Sequence, residues 1–115
     1  MKRTSYKKGL IAEALAALAL LCKGFLIVAV RHKTPLGEID LVARRSGTVA
    51  FVEVKWRKRA EELGIAIDEY RLRRVAAAVE AVAHEYAHDG EDMRIDVILL
   101  APGRLPQHIV NAWQP

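Results

Sequence analysis

Acidic side chains alternate with apolar ones along one stretch of the chain, and a lysine follows them. The stretch from Gly37 to Lys58 reads GEIDLVARRSGTVAFVEVKWRK. Two alternating runs flank Ser46 and Gly47, a two-residue connection typical of a β-hairpin. In the register that this turn imposes, Asp40 falls opposite Glu53. Carboxylates that face each other repel unless a cation lies between them, so we expect a divalent metal site here.

The same register adds two side chains to that pair. Glu38 falls opposite Lys55, and because strand side chains alternate with period two, both should share the face of Asp40 and Glu53. Carboxylate oxygens suit Mg²⁺ or Mn²⁺, and such an ion neutralises the charge that develops when a phosphodiester is hydrolysed. A lysine placed beside it can orient or help deprotonate the attacking water.

The composition suits a single domain, residues 1–115, with one hydrophobic core. Of the 115 residues, 52% are apolar, and the formal net charge is +4. This positive charge favours a polyanionic partner. Cys22 has no second cysteine with which to form a disulfide, which favours a reducing compartment and a cytoplasmic location.

The apolar run from Ala14 to Cys22, behind a basic start, shares features with an export signal. Glu13 interrupts the apolar region, however, and no small-residue cleavage motif precedes Lys23. The run is also well short of the roughly 20 residues that span a bilayer. We therefore expect neither export nor a membrane partner.

Caps and periodicity predict the elements that must position the acidic residues. In order, these are a helix from Thr4 or Ser5 to about Lys23, a central strand at 25–30, a loop at 32–37, the two hairpin strands, a helix from Asp68 to about His88, a strand at 95–100 and an optional edge strand at 109–113. The helical crossover favours a parallel strand at 95–100. The resulting order, α-β-β-β-α-β, predicts an α/β fold with a mixed central sheet flanked by helices.

Apolar stripes predict how these helices pack. The stripe of the first helix comprises Leu10, Ala14, Ala17, Leu18 and Leu21, widened by Ile11, Leu15 and Cys22. The stripe of the second comprises Leu72, Val75, Val79, Val82 and Tyr86. We expect both stripes to be buried against the sheet. Glu13 falls within the first stripe, where it either completes the acidic site or, at the edge of the buried face, reaches water or pairs with a lysine.

Four short motifs together resemble a known family. They are Ala12-Glu13, Gly37-Glu38-Ile39-Asp40-Leu41-Val42, Phe51-Val52-Glu53-Val54-Lys55 followed by Arg57, and Arg94-Ile95-Asp96-Val97. The acidic hairpin resembles the active-site pattern of the PD-(D/E)xK nuclease superfamily. The whole set, from about Lys8 to Trp113, resembles the YraN family of small bacterial proteins, which implies a restriction-endonuclease-like fold akin to Holliday junction resolvases.

The resemblance also implies roles for individual residues. Asp40, Glu53 and the backbone carbonyl of Val54 would be metal ligands, Lys55 the catalytic lysine, and Glu13 the helix-borne acid that completes the site. The substrate would be DNA, including branched or recombination and repair intermediates. By analogy with junction-cleaving relatives, the resemblance leaves room for a homodimer. The alternative is a non-catalytic nucleic-acid-binding or adaptor protein that keeps the fold.

Basic residues predict how such a substrate would be held. They are Arg31, Lys33, Arg44, Arg45, Arg57, Lys58, Arg59, Arg71, Arg73 and Arg74. We expect them near the acidic site, where they would contact phosphates without reading sequence. Trp56 either stacks on a base or packs in the core, and core packing is the more frequent role of a tryptophan beside a buried strand.

Two other motifs have competing interpretations. The segment from His84 to His88 matches H-E-x-x-H through His84, Glu85 and His88, the pattern of zinc proteases. Helical geometry turns it away from the apolar stripe toward solvent, which argues against a zinc site. Asp96 either adds an acid to the active site or forms an ion pair with Arg94 on the same strand face, and the ion pair is favoured.

Overall fold

The computed structural model describes residues 3–57 and 69–113, with side chains described from residue 9 onward. The elements are α1 (Arg3–Cys22), β1 (Leu26–Thr34), β2 (Gly37–Arg45), β3 (Thr48–Trp56), α2 (Glu69–Tyr86), β4 (Asp92–Leu100) and β5 (Gln107–Ile109). The expected order of helices and strands is confirmed. The expected cap of the second helix, Asp68, lies outside the described residues.

The β2–β3 hairpin forms as its sequence predicts. Ser46 and Gly47 both have positive φ angles, 47° and 78°, which is the conformation that two-residue hairpin turns require. Glycine adopts this conformation without steric cost. Arg45 pairs with Thr48, and the ladder continues as far as Leu41 opposite Val52.

The five described strands form one sheet in the order β1-β2-β3-β4-β5. β3 and β4 are parallel, as the crossover through α2 predicts, and the other neighbours are antiparallel. The expectation of a central strand at 25–30 is wrong, because β1 lies at the edge of the sheet. β1 also continues to Thr34, which pairs directly with Gly37, so a two-residue turn replaces the expected loop.

The last strand is displaced from its expected position. β5 covers Gln107–Ile109 and pairs with β4, whereas the sequence suggested a strand beginning at Ile109. Asn111 has a φ of 55°, a left-handed conformation that ends extended structure. The chain then turns back, and the Ala112 N–H donates to the Ile95 carbonyl at 2.7 Å.

Apolar side chains cover both faces of the sheet, as expected. On one face, α2 packs in a group that we call the α2 cluster: Ile39, Val42, Val49, Phe51, Leu72, Val75, Ala78, Val79, Val82, Ile95, Val97 and Leu99. On the other face, α1 packs in the α1 cluster: Ala12, Ala16, Leu20, Phe25, Leu41, Ala43, Ala50, Val52, Ile98 and Leu100. The stripe expected of α2 is confirmed.

The stripe expected of α1 is wrong. The helix packs on the sheet through Ala12, Ala16 and Leu20, which are buried. Small residues at two of these three positions let the helix approach the strands closely. Of the residues expected to be buried, Ala17 alone is half-buried against the α1 cluster. The others point outward and are exposed: Leu10, Ile11, Ala14, Leu15, Leu18, Leu21 and Cys22. No described helix is long and apolar enough to cross a membrane.

Candidate active site

Asp40 and Glu53 meet where the β2–β3 ladder ends, one residue beyond the last paired positions, Leu41 and Val52. The two carboxyl groups are hydrogen-bonded to each other. Asp40 Oδ2 also accepts a hydrogen bond from the backbone N–H of Val54 at 2.8 Å. The Asp40 side chain thus replaces the backbone carbonyl that would accept this bond if the β2–β3 ladder continued. The hairpin thus holds two acids in contact, as its register predicts.

The strict alternation of faces fails at this point. Ile39 packs in the α2 cluster together with Val42, whereas Leu41 packs in the α1 cluster. An even alternation would place Ile39 and Leu41 on one face. On β1, Arg31 lies between the paired residues Val30 and His32 and has a φ of 54°. At this end of the hairpin, Glu38 and Asp40 both approach Glu13 of α1.

Three carboxylates converge at that end. One oxygen each from Glu13, Glu38 and Asp40 lies within 4.8 Å of the others. The sequence interpretation assigned Glu13 and Asp40 to this site but gave Glu38 no ligand role. Its position two residues before Asp40 on the same strand was the available signal. The set consists of hard oxygen donors, which fits the chemistry of Mg²⁺ or Mn²⁺.

Arginines from two other elements contact these acids. Arg31 Nε lies 2.6 Å from Glu13 Oε1. Glu53 is only 3% exposed, and Arg71 of α2 approaches its Oε2 at 3.4 Å. Glu53 therefore faces Asp40 on one side and a guanidinium on the other, and it is not a member of the three-carboxylate group. A ligand role for the Val54 carbonyl stays a prediction.

Burial and like charge shift the ionisation of the central groups. Burial, the hydrogen bond to Glu53 and the charge of Glu53 raise the pKa of Asp40 to about 7, against the opposing effects of the Val54 N–H and Arg71. Burial also raises the pKa of Glu13, although Arg31 opposes this. Burial lowers the pKa of Lys55. The site therefore combines acids that resist losing a proton with an amine that gives one up more readily.

Two clefts meet at this centre, and both are lined by Asp40, Glu53 and Arg71. The smaller, about 190 Å³, is completed by Gly37, Glu38, Arg74 and Val75. The larger, about 360 Å³, is completed by Gly9, Ala12, Glu13, Val54, Lys55, Trp56 and Arg57. Each cleft thus opens from the acids toward basic side chains.

The basic residues expected around the site divide into groups. Arg31 contacts Glu13, while Arg57, Arg71 and Arg74 line the clefts. Arg73 is exposed and pairs with Glu69, and Lys33 is exposed on β1. Lys58 and Arg59 lie outside the described residues.

Two of the expected residues, Arg44 and Arg45, lie at the opposite end of the hairpin, beside its turn. The Arg44 guanidinium binds Glu91 and the Tyr86 carbonyl, and Arg45 donates to the Lys23 carbonyl. The structure does not bring either of them to the acids.

Trp56 packs against the α1 cluster, as favoured by its sequence context. It also lines the larger cleft, and its buried indole N–H has no acceptor among the described residues. A buried donor without a partner is costly. At this edge, the cleft therefore offers a hydrogen-bond donor that no described residue accepts.

Asp96 forms the expected ion pair and does not join the site. It is completely buried, and its carboxylate accepts from Arg94 Nε at 3.0 Å, His108 Nε2 at 2.8 Å and the Asn111 N–H at 2.9 Å. Burial alone would raise its pKa, but these hydrogen bonds and the charge of Arg94 lower it overall. Asp96 therefore ties β5 and the following turn to β4.

The H-E-x-x-H segment gains no support as a zinc site. His84, Glu85 and His88 are exposed. α2 ends at Tyr86, so the motif straddles the end of the helix. Neither histidine belongs to the three-ligand group found among the described residues.

The fold and the sequence both have known counterparts. A solved structure of Archaeoglobus fulgidus Hjc, a Holliday junction resolvase from an archaeal hyperthermophile, superposes with a TM-score of 0.56 over 85% of this chain and 72% of that one, at 18% identity. The restriction-endonuclease-like α/β fold is thereby confirmed.

Relatives of similar length share much of the sequence. A UPF0102 protein of Erythrobacter litoralis (strain HTCC2594) is 66% identical over 116 residues, covering 100% of both chains. Another, from Sphingopyxis alaskensis, is 58% identical over 94% of this chain and 93% of the relative. The model of the family described as "Uncharacterised protein family UPF0102" matches residues 12–100. The chain belongs to this family, which is the YraN family that its motifs resemble.

Proposed function

We propose that this protein is a metal-dependent endonuclease that hydrolyses phosphodiester bonds in DNA. The observation that carries the proposal is the convergence of Glu13, Glu38 and Asp40 within 4.8 Å. Lys55 lines the same cleft as Glu13 and Asp40. Acids brought together at the end of a buried hairpin repel one another. A fold accepts that cost most readily where a cation occupies the site during function.

The residues present fit Mg²⁺ or Mn²⁺. Glu13, Glu38 and Asp40 would hold the ion, with Glu53 and the Val54 carbonyl as further ligands. When bound, the ion would supply charge neutralisation at the phosphate and a more acidic water. Arg71, which lies 3.4 Å from Glu53, would hold that carboxylate in its orientation toward Asp40.

Lys55 would assist the attack of water on the phosphodiester. Burial lowers its pKa, so a larger fraction of the amine is neutral near pH 7 and can accept a proton. In its protonated form it would stabilise the charge that develops on the phosphate. Lys55 lines one cleft together with Glu13, Asp40 and Glu53, as these roles require.

The two clefts give a path for a nucleic-acid strand across the site. Arg74 lies in the smaller cleft and Arg57 in the larger, on either side of Asp40 and Glu53. Phosphates on both sides of the scissile bond would be held by these arginines, which bind the backbone without reading bases. The likeness in fold to a Holliday junction resolvase favours DNA, and branched repair or recombination intermediates first. Such an enzyme would act in the cytoplasm.

A cleavage assay tests the proposal. Wild type and Lys55→Ala are incubated with branched, single-stranded and duplex DNA in Mg²⁺ or Mn²⁺. We expect wild type to cut at least one substrate and Lys55→Ala to lose about 100-fold or more in rate, in line with the loss of a general base or a charge stabiliser. Arg73→Ala is the matched control, since Arg73 pairs with Glu69 on the exposed side of α2. Binding without cutting, equal in wild type and Lys55→Ala, would exclude the enzyme.

That last outcome would support the second candidate function, a non-catalytic nucleic-acid-binding or adaptor protein. One observation favours it. Arg31 contacts Glu13 at 2.6 Å, and Arg71 approaches Glu53, so protein cations already neutralise two of the acids. If these arginines replace a metal, the protein should bind DNA equally well with EDTA and with Mg²⁺.

A further inference from the structure

The outer surface of α1 is apolar and exposed. The large apolar side chains Leu10, Ile11, Leu15, Leu18 and Leu21 are each 40–57% exposed. From Leu10 to Cys22 the only charged residue is Glu13, and Glu13 turns toward the acidic site. A helix on the surface of a soluble protein normally presents charged residues to water, whereas one that is apolar all round is buried. From Leu10 to Cys22, α1 is apolar on all sides except at Glu13, but the sheet covers one side only.

This outer face repeats every seven residues. Ile11 and Leu18 are seven apart, as are Ala14 and Leu21, and Leu15 and Cys22. Such a repeat keeps one seam of a helix in register with another helix. It is not what a flat sheet or an extended peptide requires. The seam therefore indicates a helix as the occupant.

The edge strand β1 adds to the exposed apolar surface. Leu26, Val28 and Val30 are 68%, 39% and 56% exposed. Val30 pairs with Leu41 of the α1 cluster, so it lies on the face of the sheet that α1 covers. A stable interface takes roughly 800 Å² from each partner, and soluble monomers rarely expose contiguous apolar patches of more than a few hundred Å². Leu26 pairs with Arg44 and so lies on the other face of the sheet. Val30 and the five side chains of α1 remain, and six large exposed apolar side chains on one side of a domain are typical of an interaction site.

We propose that the outer face of α1 binds the same face of a second copy of this chain. A self-complementary seam is the simplest match, because a two-fold pair places each apolar position against another of its kind. Glu13 lies on the flank of α1 that faces the site, so the pairing leaves both clefts open. The two acidic sites would then be borne by one helix pair. Association through α1 does not depend on the chain being a nuclease.

Sedimentation equilibrium over a hundredfold range of protein concentration tests this. Wild type should approach twice the 12.8 kDa mass of the chain. Leu18→Glu, at the middle of the seam, should weaken association at least tenfold. Leu18 is 57% exposed in the single chain, so the substitution buries no charge there, and an unchanged circular dichroism spectrum verifies folding. The control is Leu105→Glu, at an apolar residue that is 89% exposed in the β4–β5 loop.

Three results would overturn the proposal. The first is a wild type that stays monomeric throughout, and the second is equal weakening by Leu105→Glu and Leu18→Glu. The third is a monomer that binds vesicles of anionic and zwitterionic phospholipid through Leu18, because a membrane surface would then be the occupant. DNA cleavage is not part of the readout, so an inactive dimer would contradict only the proposed function.

Discussion

At the scale of single residues, Asp40 is held in an environment that disfavours its charge. It is buried, hydrogen-bonded to Glu53 and opposed by the charge of Glu53, and its pKa is raised to about 7. One backbone N–H, that of Val54, and the more distant Arg71 compensate in part. At neutral pH the Asp40 carboxyl group is therefore protonated in about half of the molecules. Any bound cation must displace that proton.

The first prediction concerns stability against pH without a metal. An aspartate in the unfolded chain has a pKa of about 3.9, so the folded state binds the Asp40 proton more tightly. The stabilisation by this proton is complete below about pH 4 and is lost as pH rises toward 7. In EDTA, the free energy of unfolding of wild type should fall by a few kcal/mol across this window, and Asp40→Asn should remove that fall. Urea unfolding at several pH values measures it.

Asp92→Asn is the control, because Asp92 is exposed at the start of β4. It should leave the pH dependence of wild type in place. A wild type whose unfolding free energy is flat between pH 4 and pH 7, or one that behaves like Asp40→Asn, would show that the Asp40 proton is not held by the fold.

The second prediction concerns Glu38 as a ligand. Each carboxylate in a site of hard donors raises affinity for a divalent cation, and Glu38 is one of three that converge. Glu38→Gln should weaken Mn²⁺ binding about tenfold or more by isothermal titration calorimetry, while Glu80→Gln, on the exposed side of α2, should not change it. Equal affinities for wild type and Glu38→Gln would remove Glu38 from the site.

Sequence reasoning reached most of this site because its main determinant is local. The turn at Ser46 and Gly47 sets the hairpin register, and the register brings Asp40 to Glu53. Strand alternation placed Glu38 on the face of Asp40, but it does not show which side chains of a face converge on one point, and Glu38 was given no ligand role. Arg31, which contacts Glu13, has a φ of 54°, and no pattern within the hairpin encodes that conformation.

At the scale of elements, α1 is the element that sequence reasoning oriented wrongly. Its apolar residues surround the helix, so periodicity alone does not distinguish the inner face from the outer one. The structure selects the face with the smaller side chains, Ala12 and Ala16, against the strands. Small residues here bring Glu13, on the neighbouring position, close enough to β2 for its carboxylate to reach Glu38 and Asp40.

The third prediction follows from this close approach. Ala16 is completely buried, and a larger side chain there must push α1 away from the sheet. Ala16→Leu should destabilise the protein by about 1–3 kcal/mol, measured by urea unfolding. Ala81→Leu, at an exposed position of α2, should change stability by less than about 0.5 kcal/mol. Equal stability of Ala16→Leu and wild type would mean that the interface between α1 and the sheet accommodates a larger side chain, and it would contradict the close approach.

β1 shows a second limit at the scale of elements. Its continuous apolar run is typical of a buried central strand, yet it lies at the edge of the sheet with Leu26 and Val30 exposed. Sheet order depends on which strands pair across the whole chain. The hydrophobic run therefore predicted a strand correctly and its place in the sheet incorrectly. If α1 pairs with a second copy, the exposure of Val30, which lies on the α1 face of the sheet, has a physical reason at the level of the assembly.

At the scale of the whole molecule, basic side chains lie at both ends of the hairpin. Arg57, Arg71 and Arg74 surround the acids, whereas Arg44 and Arg45 lie beside the turn. Four or five strand residues separate these ends, or roughly 13 to 17 Å. All of these arginines were expected near the acids because they are close to them in sequence. Sequence alone does not show at which end of a strand each guanidinium makes its contacts. Arg44 and Arg45 instead bind backbone carbonyls and Glu91.

This division gives the fourth prediction, for DNA binding measured against salt. Each phosphate contact adds roughly 0.9 to the slope of log K against log salt concentration on duplex DNA. Arg57→Ala and Arg74→Ala, one in each cleft, should each lower the slope by about 1. Arg45→Ala, at the far end, should leave it unchanged, although all three variants lose the same charge. An equal loss in all three would mean that net charge, and not the two clefts, holds the DNA. A loss at Arg57 and Arg74 alone would place the strand across Asp40 and Glu53, because only there do the two clefts meet.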